Sequence, residues 1–375
     1  MRMFLIIILI LKSTVIFSQA KKVFFESPNG IFFISSDLHI HTVFSDGLVW
    51  PTLRVEEALK DSLDLIAITD HIEYQPHQKD IPNPDRNRSF QLALGFNNDI
   101  PLKIIPGTEI TKPMPPGHMN ALFIKDANKF IFDIKDDVEY TNGLYEAKKQ
   151  NAFVFWNHPM WRQNQRKDGI ATLDPIHKKL IKEDLIHGIE VVNMFTFSEE
   201  ALEIAIENNL TILGNSDVHV LIDWDYNNER EHFHRPITFI ISEKESIKEY
   251  KKSLFEGKTF VWYHDLVIGL EKNLNIVIDK NLQISSVGYF NFFGDKSEIL
   301  NLELTNNSVA PIKLLYEGEF TFENNSNLIE IKPKSTKKIY IRTKEKLEEI
   351  ELKFEVLNYI IGKKNNLKIN KKIIL

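Results

Sequence analysis

The sequence predicts an α/β barrel of seven strands followed by a small all-β sandwich of immunoglobulin-like type. Three observations predict it. From Ile31 to about Ile268, apolar runs rich in Ile, Val and Phe alternate with amphipathic stretches, the pattern of repeated β-α units around a parallel sheet or barrel. Histidines and acids gather at the C-terminal ends of those apolar runs, where α/β barrels carry their active sites. After His264 there is no further histidine, and helical spacing gives way to short alternating strands broken by Asn, Ser, Lys and Gly.

Each element follows from local pattern. A length of 375 residues predicts two domains, and 43% hydrophobic residues suffice for buried cores. Residues 1–20 read as an export signal: Arg2 gives a positive start, Met3 to Phe17 is apolar apart from Lys12, Ser13 and Thr14, and Ser18-Gln19-Ala20 supplies small residues for cleavage after Ala20. The apolar run is too short and interrupted for a membrane span, so a soluble protein, secreted or periplasmic, is expected. The barrel is assigned to residues 21–268, with strands over Phe32–His39, Asp64–Thr69, Lys103–Pro106, Asn120–Ile124, Phe153–Trp156, Gly188–Val192 and Thr211–Gly214. Helices are expected over Thr52–Ser62, Arg88–Asn97, Asp136–Gln150, Pro175–His187, Ser198–Asn208 and Glu243–Glu256. The sandwich is assigned to residues 269–375, with strands such as Leu300–Leu304, Ile312–Tyr316, Leu328–Ile331, Lys338–Ile341 and Ile350–Val356.

Composition excludes several classes. Removing residues 1–20 takes away Arg2 and Lys12 and no acid, moving the formal net charge from −6 to −8, which disfavours nucleic acid as a partner. With no cysteine, the fold uses no disulfide and no thiolate ligand. Phe255-Glu256-Gly257-Lys258-Thr259 lacks the preceding glycine-rich loop of a nucleotide P-loop.

The donor groups carry the chemistry. They are His39-x-His41, Asp46, Asp70-His71, Glu109, His118, Asn157-His158-Pro159 and Asp217-x-His219. Residues i and i+2 of a strand share a face, so His39 with His41, and Asp217 with His219, can each aim two donors at one point. Imidazole with carboxylate suits Zn, Mn or Fe, and nine donors exceed what one ion accepts, so a multinuclear centre is expected. Arg162 and Arg235 are candidates for holding phosphate oxygens. His177 opens an amphipathic stretch as a substrate contact or a helix cap, while His77, His187 and His264 read as structural.

Taken together, His39-x-His41-Thr42, Ser45-Asp46-Gly47, Thr69-Asp70-His71, Pro106-Gly107-Thr108-Glu109, Gly117-His118-x-Asn120-Ala121, Asn157-His158-Pro159 and Ser216-Asp217-x-His219 resemble, in order, the signature of the polymerase and histidinol phosphatase (PHP) family over residues 33 to about 268. The resemblance implies a distorted seven-stranded α/β barrel holding two or three divalent ions. It implies that His39, His41, Glu109 and Asp217 hold the first ion, that Glu109 bridges to a second held by His118 and His158, and that Asp46, His71 and His219 hold the third. Asp70 is expected to orient a ligand imidazole, or else to shuttle a proton. The implied activity is hydrolysis of a small phosphorylated substrate, a phosphodiester or phosphomonoester, by hydroxide attacking phosphorus in line at a trinuclear centre. Two other readings are a nuclease, which the negative charge opposes, and a non-catalytic metal or carbohydrate binder, for which no aromatic platform is evident.

Overall fold

A computed structural model describes residues 22–96, 101–132, 141–162, 166–226, 234–290 and 298–375; the expected signal over 1–20 lies outside these residues. The first domain is built from β1 (Phe32–Asp37), α1 (Pro51–Lys60), β2 (Leu65–Ile68), α2 (Arg88–Phe96), β3 (Lys103–Ile110), β4 (Met119–Leu122), α3 (Asn142–Lys149), β5 (Phe153–Trp156), α4 (Pro175–Lys182), β6 (Gly188–Asn193), β7 (Thr196–Phe197), α5 (Glu199–Glu207), β8 (Thr211–Asn215), α6 (Ile222–Asp225), β9 (Ile237–Ser242), α7 (Ile247–Phe255), β10 (Thr259–Tyr263), β11 (Leu266–Gly269) and α8 (Glu271–Asn281). Strands such as β2 and β5 are buried at every position, because each is covered on both faces. Helix starts follow local chemistry: Pro51 and Pro175 occupy first-turn positions, while the Ser198 and Ser246 hydroxyls accept from the N–H groups of Ala201 and Glu249.

The order β9-β1-β2-β3-β4-β5-β6-β8 forms the barrel wall. Two features distort it. β3 pairs in parallel with β2 over Lys103 to Pro106 and then turns into a hairpin with β4, so β4 runs antiparallel where a parallel strand was expected. β9 runs antiparallel to β1, and β10 and β11 extend the sheet beyond it; these three strands were not among those expected. Side chains link β8 to β9 and β10: Thr238 Oγ1 accepts from Gly214 N and donates to Gly214 O, and Thr259 Oγ1 donates to Ile212 O. A Cβ on Gly214 would lie 2.4 Å from Val261, so only glycine permits this approach. The interior is filled by Ile34, Leu38, Leu65, Ala67, Ile105, Leu122, Phe153, Phe155, Leu213 and Ile240, joined by Tyr250 and Leu254 of α7.

Beyond α8 lie β12 (Leu282–Phe290), β13 (Glu298–Asn306), β14 (Ile312–Tyr316), β15 (Thr321–Phe322), β16 (Leu328–Ile331), β17 (Ser335–Thr343), β18 (Glu349–Gly362) and β19 (Asn365–Ile374). One sheet runs β12-β13-β17-β15, and β16-β14-β18-β19 faces it, with inward Leu and Ile alternating with outward polar residues. The second sheet is continuous with the barrel: β11 pairs in parallel with β18 through Val267 with Tyr359 and Ile268 with Ile360. A strap at the start of the described chain crosses the same boundary. Phe25 packs edge-on against Phe239 and Phe260, Glu26 exchanges two hydrogen bonds with Asn281, and Val309 N donates to Phe24 O.

Asn358 fastens this junction. Its amide donates to Asp265 O at 2.6 Å and Pro311 O at 2.8 Å, and its oxygen accepts from Lys313 N at 3.0 Å. Asn358→Ala leaves those backbone groups unpaired and is expected to cost about 2 kcal/mol, because buried polar groups lose a partner. A lowered urea midpoint with unchanged metal content checks this; an unchanged midpoint contradicts it.

Candidate metal centre

The donors are brought together by two backbone pairings past the strand ends. Ile40 and Val218 form a parallel bridge in which His41 N donates to Val218 O and Asp217 N to His39 O. Ile40 and Val218 are both wholly buried in the core, so the flanking His39, His41 and Asp217 turn together to the mouth of the barrel. A second bridge pairs His71 with Glu109. Arg54, 1% exposed, ties the first pairing by donating to the carbonyls of His41, Val218 and Val220. Asp217 sits at φ +50° and His158 at φ +29°, conformations costly for side-chain-bearing residues and held here by their neighbours.

His39 Nε2, His41 Nε2, Glu109 Oε2 and Asp217 Oδ1 form one group. Five of their six separations lie between 3.1 and 3.2 Å. His39, His41 and Glu109 are close enough to share an ion, and Asp217 lies against the two imidazoles. The other carboxylate oxygen, Glu109 Oε1, lies 2.8 Å from His118 Nδ1 and 3.6 Å from His158 Nε2. Asp46 forms the third group, 3.5 Å from His71 Nε2 and 3.3 Å from His219 Nε2. His41, Asp46, His71 and His219 are close enough to share an ion, as are His71, Glu109 and His118. Asp46 Oδ1 is buried with no hydrogen-bond partner, a state that a cation relieves. The turn delivering Asp46 depends on Gly47, whose Cβ would meet the backbone of His41 and Thr42 at 2.8 Å.

All nine expected donors therefore meet at one mouth, and a fourth carboxylate supports them. Glu190, wholly buried in β6, accepts from His39 Nδ1 at 2.9 Å, Asn215 Nδ2 at 2.9 Å, Asn193 Nδ2 at 2.9 Å and His158 N at 2.8 Å. Asn193 also donates to Asp217 Oδ2, and Asn157 Nδ2 to Glu109 Oε1. Sequence reasoning missed Glu190; its one signal was a lone acid inside the apolar Gly188-Ile189-Glu190-Val191-Val192. Asp70 touches no imidazole. It accepts from Thr42 N, Thr42 Oγ1 and Ser45 Oγ, and reaches His41 only through Ser45, whose Oγ is 3.3 Å from His41 Nδ1.

Two expected substrate contacts lie elsewhere. His177 is wholly buried, stacked on Trp156; its Nδ1 accepts from Asp174 N and its Nε2 donates to Pro116 O, so it caps α4 and has no free ring nitrogen. Arg235, 3% exposed, is paired with Asp37 and Asp61, which consume its charge inside the wall. Arg162 is exposed and borders a cavity that His158 also lines.

Electrostatics follow from this crowding. Burial opposes charging His39, but Asp217, Glu190 and Glu109 overcome it and raise its imidazole well above the ordinary value. For His41 the same opposition from burial is outweighed by Asp217 and Glu109, to about 10. Glu109 is held well below the usual carboxylate range, burial notwithstanding, by His71, His39 and His118.

A two-domain protein from Bacteroides vulgatus, containing a predicted PHP-like metal-dependent phosphoesterase, has a solved structure of TM-score 0.84 and 34% identity, covering 94% of this chain and 99% of that one. A candidate metal-dependent phosphoesterase from Bifidobacterium adolescentis gives TM-score 0.39 and 20% identity over 52% of this chain and 89% of that one. A family model described as an Ig-like domain matches residues 282–372. A search of curated proteins finds no relative. Fold and site together define a two-domain barrel protein with a metal-binding donor cluster. The chain belongs to the PHP-like metal-dependent phosphoesterase family, and its C-terminal domain is Ig-like.

Two outcomes are expected. Glu190→Gln places an amide where four donors converge and should weaken metal binding about 10–100-fold, as loss of an outer partner does; competition against a chelator measures it, and wild-type affinity contradicts it. Because His39 and His41 carry protons at neutral pH and must lose them to ligate, loading the first ion should release about two protons, and apparent affinity should rise with pH. Calorimetry at pH 7 in two buffers of different ionisation heat counts them. A count of zero refutes the charged apo cluster.

Proposed function

We propose that this chain hydrolyses phosphoric esters, phosphodiesters foremost, using two to three divalent ions of Zn, Mn or Fe. The observation that carries the reading is the cluster of His39, His41 and Glu109 with Asp217 beside the two imidazoles, and with Glu109's second oxygen turned toward His118 and His158. Such ions supply Lewis-acid charge that brings water toward ionisation at neutral pH and offsets charge on phosphoryl oxygens. The protein's own groups do the rest. Glu109 would neutralise two sites at once, Glu190 fixes the ring of His39, and Arg162, which lines a cavity together with His158, is assigned to a phosphoryl oxygen. In the reaction a P–O bond to water oxygen forms as the P–O bond to the ester alcohol breaks, with one proton going to that alcohol.

The setting is proposed with it. The charged start, apolar stretch and small residues of 1–20 support export, hence a secreted or periplasmic location. No helix among the described residues is long and apolar enough to cross a membrane. A negative net charge favours a small phosphorylated substrate over nucleic acid.

The test is turnover of phosphomonoesters, diesters and triesters by metal-loaded protein beside Glu109→Gln and His39→Ala. Wild type should carry two to three equivalents of metal and favour diesters. Glu109→Gln should lose on the order of a hundredfold or more in kcat, exceeding the 10–100-fold typical of outer partners. Trace metal in wild type, with no chelator-sensitive turnover, refutes the proposal.

A further inference from the structure

Beside His158 lies a cavity of about 480 Å³, a size that holds a single ring system with its substituents. Met160, Trp161, Met194 and Phe195 line it together with Arg162. Trp161 also packs against two donor imidazoles, its ring 5.8 Å from His118 and 5.2 Å from His158. Met194 and Phe195 are the tip of a two-residue hairpin between β6 and β7, where Asn193 pairs with Thr196. Tight hairpins of this kind call for Asn-Gly or Asp-Gly because the tip needs positive φ. Here the tip is Met194-Phe195, and Met194 sits at φ +49°. The chain tolerates this backbone strain, and the result is to hold Met194 and Phe195 at the cavity, with Phe195 44% exposed and its ring 5.2 Å from that of Tyr226. The same hairpin is anchored to the metal centre through Asn193, which hydrogen-bonds Glu190 and Asp217.

A second observation is independent of shape. Apart from the donor His158, the described lining residues are Met160, Trp161, Arg162, Gly169, Asn193, Met194, Phe195 and Thr196; none is a carboxylic acid, lysine, tyrosine or further histidine. Among the described residues, the cavity therefore offers no side chain suited to protonating a strongly basic leaving group. An alkoxide, with a basicity near that of hydroxide (roughly 15.7), needs such help; a phenolate, near 10, leaves without it.

We propose that this cavity receives the planar alcohol portion of the substrate, so that the preferred substrates are aryl or heteroaryl phosphoesters, selected by stacking against Phe195 and Trp161. Water oxygen bonds to phosphorus, the aryl O–P bond breaks with its electron pair on the departing aryloxide, and solvent returns the proton. This deepens the phosphoesterase reading and rests on it.

The test separates the two. Binding of 1-naphthylphosphonate and propylphosphonate, which cannot be hydrolysed, is measured on metal-loaded full-length protein by calorimetry, for wild type, Phe195→Ala and Phe195→Tyr. Turnover of methyl 1-naphthyl phosphate and methyl propyl phosphate is measured alongside. Wild type should bind the naphthyl compound about tenfold more tightly or better, Phe195→Ala should lose most of that ratio, and Phe195→Tyr, which keeps a ring, should retain it. Equal binding of the two phosphonates by wild type, or a ratio unmoved in Phe195→Ala, overturns the pocket. Turnover of both esters without the binding preference likewise overturns the pocket while sparing the phosphoesterase reading. A preserved binding preference with turnover of neither ester supports the pocket and overturns that reading.

Discussion

Parallel pairing of Ile40 with Val218 decides where everything else in the barrel mouth must go. One pair of apolar side chains turned into the core forces His39, His41 and Asp217 to the opposite side, within hydrogen-bond distance of one another. Six imidazoles and three carboxylates then share one mouth, with His39, His41 and Glu109 wholly buried, and charges so placed repel or attract strongly. Without a metal, His39 and His41 take up protons and act as cations for the carboxylates beside them. A divalent ion replaces those protons, so the same crowding that would destabilise an unoccupied cluster becomes affinity.

Rigidity of the donors comes from groups one layer out. Glu190 accepts four hydrogen bonds and so fixes an imidazole, two asparagine side chains and the backbone at His158 in one stroke. Asp70 holds the turn after His41, and Arg54 staples the two chain segments that carry four donors. Each is a buried charged group with its partners supplied, the condition under which burial of charge is tolerated. These contacts account for the positive φ values at His158 and Asp217, which an unsupported loop would relax.

Ligands were legible because their spacing on strand ends announces a shared face, and because imidazole is uncommon enough for a cluster to stand out. The supporting groups were less so. Glu190 is a single acid in an apolar strand, and nothing local says which of many acids is buried at a metal. Arg235 and His177 could not be placed from sequence for the converse reason: a cation near ligand motifs looks available until tertiary structure shows its partners, Asp37 and Asp61, and a ring that could be contact or cap is settled as a cap only by its two backbone partners. The seven expected barrel strands form, but β9, β10 and β11 went unrecognised, since apolar runs on either side of a short hairpin resemble a buried helix and its flanks. The turn of β4 against β3 depends on pairing Ile110 with Met119 through to Gly107 with Leu122, which periodicity does not encode.

The join between β11 and β18 has a consequence for inheritance. Most appended domains hang on a linker and can be exchanged between proteins because they share only a little surface with their host. Here the second domain completes a sheet begun by the first, matching Val267 to Tyr359 and Ile268 to Ile360 in register. A recombination that delivered the sandwich to a barrel without that open edge would leave both partners with bare, adhesive strands. The two halves are therefore heritable as one unit, and the relative from Bacteroides vulgatus, alike over 94% of this chain, has kept them together.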